Sequence, residues 1–209
     1  EPVSYVFPAG EASKNLTTLG RILEFLAEEH LTRTDLVLAL GGGVTGDLTG
    51  FAAATWMRGV DWINVPTTLL SMVDASTGGK TGCDLSEGKN LAGAFHSPRL
   101  VVIDVDFLTT LSKENLADGW AEMIKHEIIA GEFKPHSSDV PSAAEIADNL
   151  AVKVAVVKED PFERTGRRAL LNCGHTVGHA VEKASGYRLT HGKCVAIGCV
   201  EEAKIAFAR

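Results

Sequence analysis

The chain has 209 residues, which is enough for one large domain or for one domain and part of a second. Apolar residues make up 45% of the chain, and its formal charge of -7 disfavours nucleic acid as a partner, because a phosphate-binding surface needs a basic face. It contains no run of the roughly 18 consecutive apolar residues that a membrane span needs, and no signal peptide opens it. We therefore expect a cytoplasmic protein with four reduced cysteines and with neither a membrane nor a nucleic acid as partner.

The first half of the chain alternates helical and strand patterns. Residues 16–29 carry apolar side chains at helical spacing, and residues 35–40 form a short apolar run that ends in three glycines, which is typical of a buried parallel strand. A helix is predicted over 47–54 and further strands over 62–66 and 100–104, while residues 3–7 also have a strand-like pattern. Strands that are separated by helices predict a parallel sheet.

The second half of the chain has only helical patterns. Four helices are predicted, over 114–130, 143–158, 168–184 and 195–208, with a polar, proline-marked loop over 131–141. The predicted fold is therefore an α/β domain over 1–106 followed by an all-α domain over 107–209. The chain opens and stops abruptly within these patterns, so we expect part of each domain to lie outside it.

A histidine cluster is the first chemical signal. His175 and His179 are four residues apart and share one helical face, His191 follows after a short loop, and Glu122 lies far upstream. Two or three imidazoles and a carboxylate are ligands that suit zinc. Spacing alone leaves open a second interpretation, in which His175 and His179 are ordinary polar residues of a helix.

Two glycine-rich segments are candidates for anion binding. Residues 41–47 follow a predicted strand and precede a predicted helix. Backbone N–H groups at the start of a helix can bind a diphosphate. The spacing of the glycines in 41–47 is not that of a Rossmann fingerprint. In residues 74–81, Asp74 stands where a P-loop needs its first glycine, so a Walker-type NTPase is not predicted. Lys80, Lys89 and Asn90 still suit an anion site, with a solvated loop as the alternative.

These segments together resemble the 3-dehydroquinate synthase family of sugar-phosphate cyclases. The resemblance spans almost the whole chain, and the segments that carry it occur in the family's order: residues 8–14, 41–47, 57–59, 65–70, 74–90, 121–125 and 170–191.

The resemblance implies a carbon–oxygen lyase of the shikimate pathway, which leads to chorismate and the aromatic amino acids. Such an enzyme converts 3-deoxy-D-arabino-heptulosonate 7-phosphate, a sugar-acid phosphate, to 3-dehydroquinate and phosphate. It does so by NAD-mediated transient oxidation, phosphate elimination, reduction and aldol closure. The family binds NAD in an N-terminal α/β domain and uses a helical C-terminal domain for metal and substrate.

The resemblance also implies roles for individual residues. It makes Glu122, His175 and His191 the ligands of zinc or cobalt, with His179 beside them for the substrate phosphate or a proton relay. It assigns Lys80, Asn90 and Asn172 to the substrate phosphate, together with Arg58 from the partner subunit of a homodimer. It assigns Lys153 and Arg168 to the substrate carboxylate and Lys125 to a ring hydroxyl. The residues that it assigns to NAD are Glu11, Lys14, Gly42, Gly43, Asp47, Thr67, Thr68, Asp74, Lys89 and Thr110.

Two departures from the family pattern concern the second half of the chain. The segment 132–149 is shorter than expected, and one extra residue separates Lys153 from Arg168. Three alternatives therefore stay open: a related cyclase acting on sedoheptulose 7-phosphate or glucose 6-phosphate, an inactive nucleotide-binding remnant, and a metal-dependent polyol dehydrogenase. Arg168 favours a substrate with a carboxylate, and the intact set of three metal ligands disfavours a remnant.

Overall fold

The computed structural model describes residues 2–136 and 138–208. The chain divides into two compact units, one made of Glu1–Thr67 and Ala75–Asp104 and the other of Thr68–Asp74 and Val105–Arg209. No helix among the described residues combines the length and the apolar character that crossing a bilayer requires.

The first unit contains two small sheets. A parallel sheet has the strand order β1-β2-β5, and β3 pairs with β4 in an antiparallel hairpin. The elements are α1 (Leu16–Glu28), β1 (Leu36–Gly41), α2 (Gly43–Thr55), β2 (Asp61–Pro66), β3 (Lys80–Leu85), β4 (Gly88–Phe95) and β5 (Leu100–Val101). The predicted α/β architecture with a parallel sheet is confirmed for this unit.

Helix α1 and helix α2 build the core of the first unit. The side chain of Asn15 accepts a hydrogen bond from the backbone N–H of Thr18 and so caps the first turn of α1. The buried face of α1 packs with α2 and β3, in a cluster of Leu19, Ile22, Leu26, Leu48, Ala52 and Cys83. The helical spacing in the sequence thus identified the buried side of α1, apart from Leu16, which is exposed.

Four predictions for the first unit need correction. The strand predicted as buried over 35–40 is β1, in which Leu36, Leu38 and Leu40 are each roughly half exposed, so only its other face is covered. Residues 3–7 form no strand, and Tyr5 and Phe7 pack their side chains against the core instead. The strand predicted over 100–104 shortens to Leu100–Val101, since Pro66 at the end of β2 has no N–H with which to extend the pairing. Helix α2 begins at Gly43 and not at residue 47, with Gly42 as an extended N-cap, so the glycine turn forms the first turn of the helix.

The β3–β4 hairpin was not predicted, because its glycines were interpreted as loop residues. In the structure they allow two strands to approach closely. A Cβ atom on Gly82 would lie 2.5 Å from the carbonyl oxygen of Ala92, and one on Gly93 would lie 2.2 Å from that of Thr81.

The second unit is helical, as predicted, and has no strand among its described residues. Its α-helices are α3 (Lys113–Ala130), α4 (Ala143–Glu159), α5 (His175–Ala184) and α6 (His191–Phe207), and short 3-10 helices cover Val105–Thr110 and Arg167–Asn172. Ser112 caps α3, and Ser142 with Glu145 forms a capping box at the start of α4.

Two helix boundaries in this unit differ from the prediction. The helix predicted over 168–184 is broken, because Gly174 adopts a left-handed conformation (φ 77°) between the 3-10 turn and α5. Helix α6 begins at His191 and not at residue 195. A Cβ atom on Gly198 would lie 1.8 Å from the carbonyl oxygen of Gly174, so α6 packs directly against the break.

Helix α3 lies directly against the segment 68–74. A Cβ atom on Gly119 would lie 2.4 Å from Cγ of Leu69 and 2.7 Å from the backbone nitrogen of Leu70. The absence of a side chain at Gly119 therefore permits this close contact. The buried face of α3 carries four polar side chains at positions i, i+4, i+7 and i+8, namely Asp118, Glu122, Lys125 and His126.

Candidate metal centre

Glu122, His175 and His191 form a cluster in the second unit. Oε1 of Glu122 lies 3.3 Å from Nε2 of His191 and 3.5 Å from Nε2 of His175. The three ligand atoms all lie within 4.8 Å of one another. The structure thus brings together the residues that the sequence predicted as metal ligands, although the first and last of them are 69 positions apart in the chain.

Three helices deliver these side chains. Glu122 lies on the buried face of α3, and each histidine is the first residue of a helix, His175 of α5 and His191 of α6. The glycine break before α5 and the short loop before α6 turn both helix starts towards α3.

The electrostatics of the cluster suit a cation. Burial and the charge of Asp74 would raise the pKa of Glu122, but His191 and Lys125 outweigh them, so the pKa is lowered and the carboxylate is ionised. Burial lowers the pKa of His175 and favours the neutral imidazole, which is the form that binds a metal. For His191 the attraction of Glu122 outweighs burial and raises the pKa.

The donor set fits a divalent metal such as zinc. Two imidazole nitrogens and one carboxylate oxygen are a recurrent three-ligand set of catalytic zinc sites, which keep a further position open. Glu122 is fully buried, and within the described part of the chain its Oε1 accepts no well-formed hydrogen bond. A buried carboxylate oxygen that faces two imidazoles and has no hydrogen-bond donor of its own can accept a metal ion as its partner.

Asp74 and Lys153 form an ion pair near Glu122. Nζ of Lys153 lies 2.7 Å from Oδ1 of Asp74, and Lys125 forms an ion pair with Glu122. Burial would raise the pKa of Asp74, but the two ammonium groups outweigh it and lower the pKa. Asp74, Glu122 and His126 also form a possible metal-binding group, but Lys153 already pairs with Asp74, so we favour the Glu122, His175 and His191 group.

His179 lies beside the predicted ligands. Its ring centroid is 5.2 Å from that of His175 and 6.0 Å from that of His191, and its side chain is exposed. It forms a third possible metal-binding group with His191 and the buried Glu182. That group shares His191 with the first, and its Glu182 carboxylate lies 3.9 Å from Nδ1 of His191.

Several residues that were predicted to bind NAD gather in the first unit. Nζ of the buried Lys14 lies 2.6 Å from Oδ2 of Asp47 and donates a hydrogen bond of 2.6 Å to Oδ1 of Asn90. Lys89 forms a longer ion pair with Glu11. Asn90, which was predicted to bind the substrate phosphate, thus lies with the residues predicted to bind NAD.

Other predicted residues of the first unit are not part of that group. Lys80 is exposed at the start of β3, and Arg58 is exposed in a left-handed conformation (φ 71°) next to Met57, which is also left-handed. The backbone N–H of Thr67 donates to the carbonyl oxygen of Gly41. Gly42 and Gly43 form the start of α2.

The remaining predicted residues lie in the second unit. Arg168 is buried, and its guanidinium donates to the carbonyl oxygen of Pro161. Asn172 is exposed at the end of the 3-10 turn. The hydroxyl of Thr68 accepts a hydrogen bond from the backbone N–H of Ser71, and that of Thr110 donates to the carbonyl oxygen of Phe107.

Sequence reasoning missed several polar residues around the cluster. Each of them lies one or more helical turns from a predicted residue: Asp118 precedes Glu122 by four positions, Asn149 precedes Lys153 by four, and Glu182 follows His175 by seven. Glu202 lies further along α6. Helical spacing from a predicted site residue is the signal that would have found the first three.

Both halves of the chain match profiles of one family. Residues 4–118 match the 3-dehydroquinate synthase N-terminal profile, and residues 119–209 match the C-terminal profile. The chain belongs to the 3-dehydroquinate synthase family.

Members of the family with known names are close in sequence to the chain. The 3-dehydroquinate synthase of Symbiobacterium thermophilum is 50% identical over 210 residues, in an alignment that covers 95% of the chain and 58% of that protein. The chain thus spans a little over half the length of the curated 3-dehydroquinate synthase that it matches.

Solved structures of related cyclases have the same fold. A 2-deoxy-scyllo-inosose synthase complexed with carbaglucose-6-phosphate, NAD+ and Co2+ is 33% identical with a TM-score of 0.89, over 97% of the chain and 59% of that structure. The 2-epi-5-epi-valiolone synthase of Streptomyces hygroscopicus subsp. jinggangensis 5008, with NAD+ and Zn2+ bound, is 28% identical with a TM-score of 0.80, over 92% of the chain and 57% of that structure. The predicted family and fold class are therefore confirmed.

Proposed function

We propose that this protein is a 3-dehydroquinate synthase, an NAD- and metal-dependent lyase that converts 3-deoxy-D-arabino-heptulosonate 7-phosphate to 3-dehydroquinate and phosphate. The observation that carries the proposal is the convergence of Glu122, His175 and His191 in a chain of the 3-dehydroquinate synthase family. The 50% identity to a named 3-dehydroquinate synthase supports the substrate assignment.

Glu122, His175 and His191 would hold the metal, either zinc or cobalt. When bound, the metal supplies a Lewis acid that lowers the pKa of a substrate hydroxyl. Lys125 would contact a ring hydroxyl, since its ammonium lies next to the Glu122 carboxylate. His179, whose exposed ring lies beside the two ligand histidines, would serve the phosphate or relay a proton.

NAD would bind to the first unit and supply a reversible acceptor for hydride. The start of α2 at Gly42 and Gly43 offers backbone N–H groups to its diphosphate. Lys14 and Asp47, together with Glu11 and Lys89, would bind elsewhere on the dinucleotide. The resemblance also assigns Thr67 of this unit to NAD, and with it Thr68, Asp74 and Thr110, which belong to the second unit.

The substrate carries a phosphate and a carboxylate, and the chain offers cations for both. Lys80 and Asn90, with Asn172 and the Arg58 side chain of a second subunit in a homodimer, would bind the phosphate. Arg168 and Lys153 would bind the carboxylate, which a planar guanidinium matches with two parallel hydrogen bonds. All four cysteines are free thiols, which supports a cytoplasmic location.

A cyclase that acts on sedoheptulose 7-phosphate is the second candidate function. The likeness to a solved 2-epi-5-epi-valiolone synthase favours this candidate. The sequence identity to that enzyme is 28%, whereas the identity to the named 3-dehydroquinate synthase is 50%, so the latter assignment has the stronger support. The guanidinium of Arg168 favours the acid, because it matches a carboxylate that sedoheptulose 7-phosphate lacks.

A phosphate-release assay on the purified protein with NAD and Zn2+ tests the proposal with both sugar phosphates in parallel. We expect phosphate release from the seven-carbon keto acid, and loss of release after chelation. Turnover of sedoheptulose 7-phosphate alone would replace the substrate assignment, and release that a chelator does not affect would remove the metal assignment. Absence of turnover on both substrates, in protein that binds NAD, would favour an inactive remnant.

A further inference from the structure

Both histidines of the metal centre begin helices that have no local side-chain cap. Neither Gly174, before α5, nor Thr190, before α6, provides a capping side chain. The first N–H groups of a helix have no partner within the helix, so they need acceptors from elsewhere. In this structure, carboxylates of other helices accept hydrogen bonds from both helix starts.

Glu202 of α6 caps the start of α5. Its Oε2 accepts a hydrogen bond of 2.8 Å from the backbone N–H of Gly174, and its Oε1 accepts one of 3.0 Å from that of Val177. The two donors flank His175 in the chain. One side chain therefore fixes the backbone on both sides of a metal ligand.

Asp118 of α3 caps the start of α6 in the same way. Its Oδ1 accepts a buried hydrogen bond of 3.1 Å from the backbone N–H of Gly192, the residue after His191. Asp118 lies one helical turn before Glu122. The bond thus ties the helix that carries one ligand to the helix that carries another.

The backbone at both helix starts leaves little room for adjustment. A Cβ atom on Gly192 would lie 2.4 Å from Cα of Asp118, and one on Gly174 would lie 2.8 Å from the carbonyl oxygen of Val195. A carboxylate at a helix N-terminus also interacts favourably with the helix dipole. Packing, hydrogen bonds and charge therefore all favour one arrangement of the two histidines.

We propose that Asp118 and Glu202 are positioning residues of the metal centre, which hold His191 and His175 in register with Glu122. The inference rests on the metal centre proposed above. It also makes a distinct claim, since neither carboxylate belongs to the Glu122, His175 and His191 set. Groups that orient metal ligands typically contribute about 10–100-fold to metal affinity.

The test is a Co2+ titration of the purified protein, with affinity measured by chelator competition and geometry by the visible absorption of the bound ion. We expect Asp118→Ala and Glu202→Ala to weaken Co2+ binding by about 10–100-fold and to alter the absorption bands. The conservative variant Asp118→Asn keeps the one accepting oxygen and should recover most of the affinity. Glu202→Gln keeps one of the two accepting oxygens and should recover part of it. If the alanine variants bound Co2+ weakly only because they were unfolded, the conservative variants would not be expected to recover the affinity.

Two exposed acids on the same helices are matched controls. Glu114 of α3 forms an ion pair with Lys193, and Glu201 of α6 forms one with Lys204. Glu114→Ala and Glu201→Ala should change the affinity by no more than about twofold, since exposed pairs contribute little.

Equal losses in the controls, or unchanged Co2+ affinity in both Asp118→Ala and Glu202→Ala, would overturn the proposal while leaving the metal centre intact. If the unaltered protein binds no Co2+, the metal centre itself fails, and the positioning role fails with it. Co2+ binding by the unaltered protein therefore distinguishes failure of the metal centre from failure of the positioning role alone.

Discussion

Lys153 donates two hydrogen bonds to the same residue, one of 2.5 Å to the carbonyl oxygen of Asp74 and one of 2.7 Å to its Oδ1. The segment 68–74 is thereby attached to α4. The side chain of Lys153 is buried, whereas a quarter of the Asp74 side chain remains exposed. This pair is thus part of the structure of the second unit as well as a candidate substrate site.

Removing the ammonium should destabilise the second unit. In Lys153→Met the Asp74 carboxylate loses its direct partner, and we expect the free energy of unfolding to fall by about 3 kcal/mol, the lower end of the range for a broken buried pair. Urea denaturation measures the change. Lys134→Met, which breaks the exposed pair with Asp148, is the control and should cost less than about 1 kcal/mol. Similar losses in both variants would contradict the structural role of Lys153.

Asn149 joins α3 to α4 through a second buried contact. Its Nδ2 donates to the carbonyl oxygen of Met123 (2.9 Å), so its Oδ1 accepts from Nδ1 of the fully buried His126 (2.8 Å). In Asn149→Ala, the His126 N–H loses its acceptor, and we expect a loss of about 2–3 kcal/mol in thermal unfolding.

The double variant His126→Phe with Asn149→Leu tests the cause. If the cost comes from the orphaned N–H, replacing both partners with apolar groups should recover most of the stability. A double variant that is as unstable as Asn149→Ala would attribute the loss to packing.

Metal content should separate the ligand histidines from their neighbour. After zinc loading and gel filtration, His175→Ala and His191→Ala should retain little metal, because each removes one of three ligands. His179→Ala should keep its zinc, since Oε1 of Glu122 faces the other two imidazoles. Elemental analysis gives zinc per chain. Equal loss in His175→Ala and His179→Ala would show that His179 is itself a ligand.

Asp160 should make the second unit sensitive to acid. Burial alone would raise its pKa, but the backbone N–H groups of Arg164, Thr165 and Arg168 donate to its carboxylate and lower the pKa from 3.8 to about 2. Because the folded-state pKa is the lower one, this stabilisation is complete above pH 3.8 and is lost as the pH falls towards about 2.

Urea midpoints between pH 2 and pH 6 test this dependence. In Asp160→Asn the carboxylate is replaced by an amide that does not titrate, so the decline below pH 3.8 should be shallower than in the unaltered protein. An identical decline in both proteins would assign the acid sensitivity to other groups.

Helical periodicity and strand alternation predicted most of the fold, because these patterns depend on local spacing. The buried side of α1 is an example, and so is the run of helices after residue 108. The prediction failed at glycines, because a glycine can have any of several structural roles. Gly82 and Gly93 allow close strand pairing, Gly43 lies inside a helix, and Gly174 breaks one, yet all four have the same signature in sequence.

The convergence of Glu122, His175 and His191 was predictable because the resemblance to the family placed all three in one proposed ligand set. Helical spacing could have drawn attention to Asp118 and Asn149, but it does not show what they contact. Asp118, Asn149 and Glu202 act through contacts between helices that are distant in sequence. Asp74 shows the same limit. Its partner Lys153 follows 79 positions later, and no local pattern connects them.

A single substitution at Gly119 should disturb several properties of the second unit at once. Residue 119 is a place where the backbone of α3 approaches the segment 68–74 closely, and it lies between Asp118 and Glu122 on the same helix. The methyl group of Gly119→Ala would clash with Leu69 and Leu70, and α3 would have to move away from them as a whole. Every side chain on its inner face would move with it, so metal affinity, the attachment of Asp74 and resistance to unfolding should decline together and not one by one.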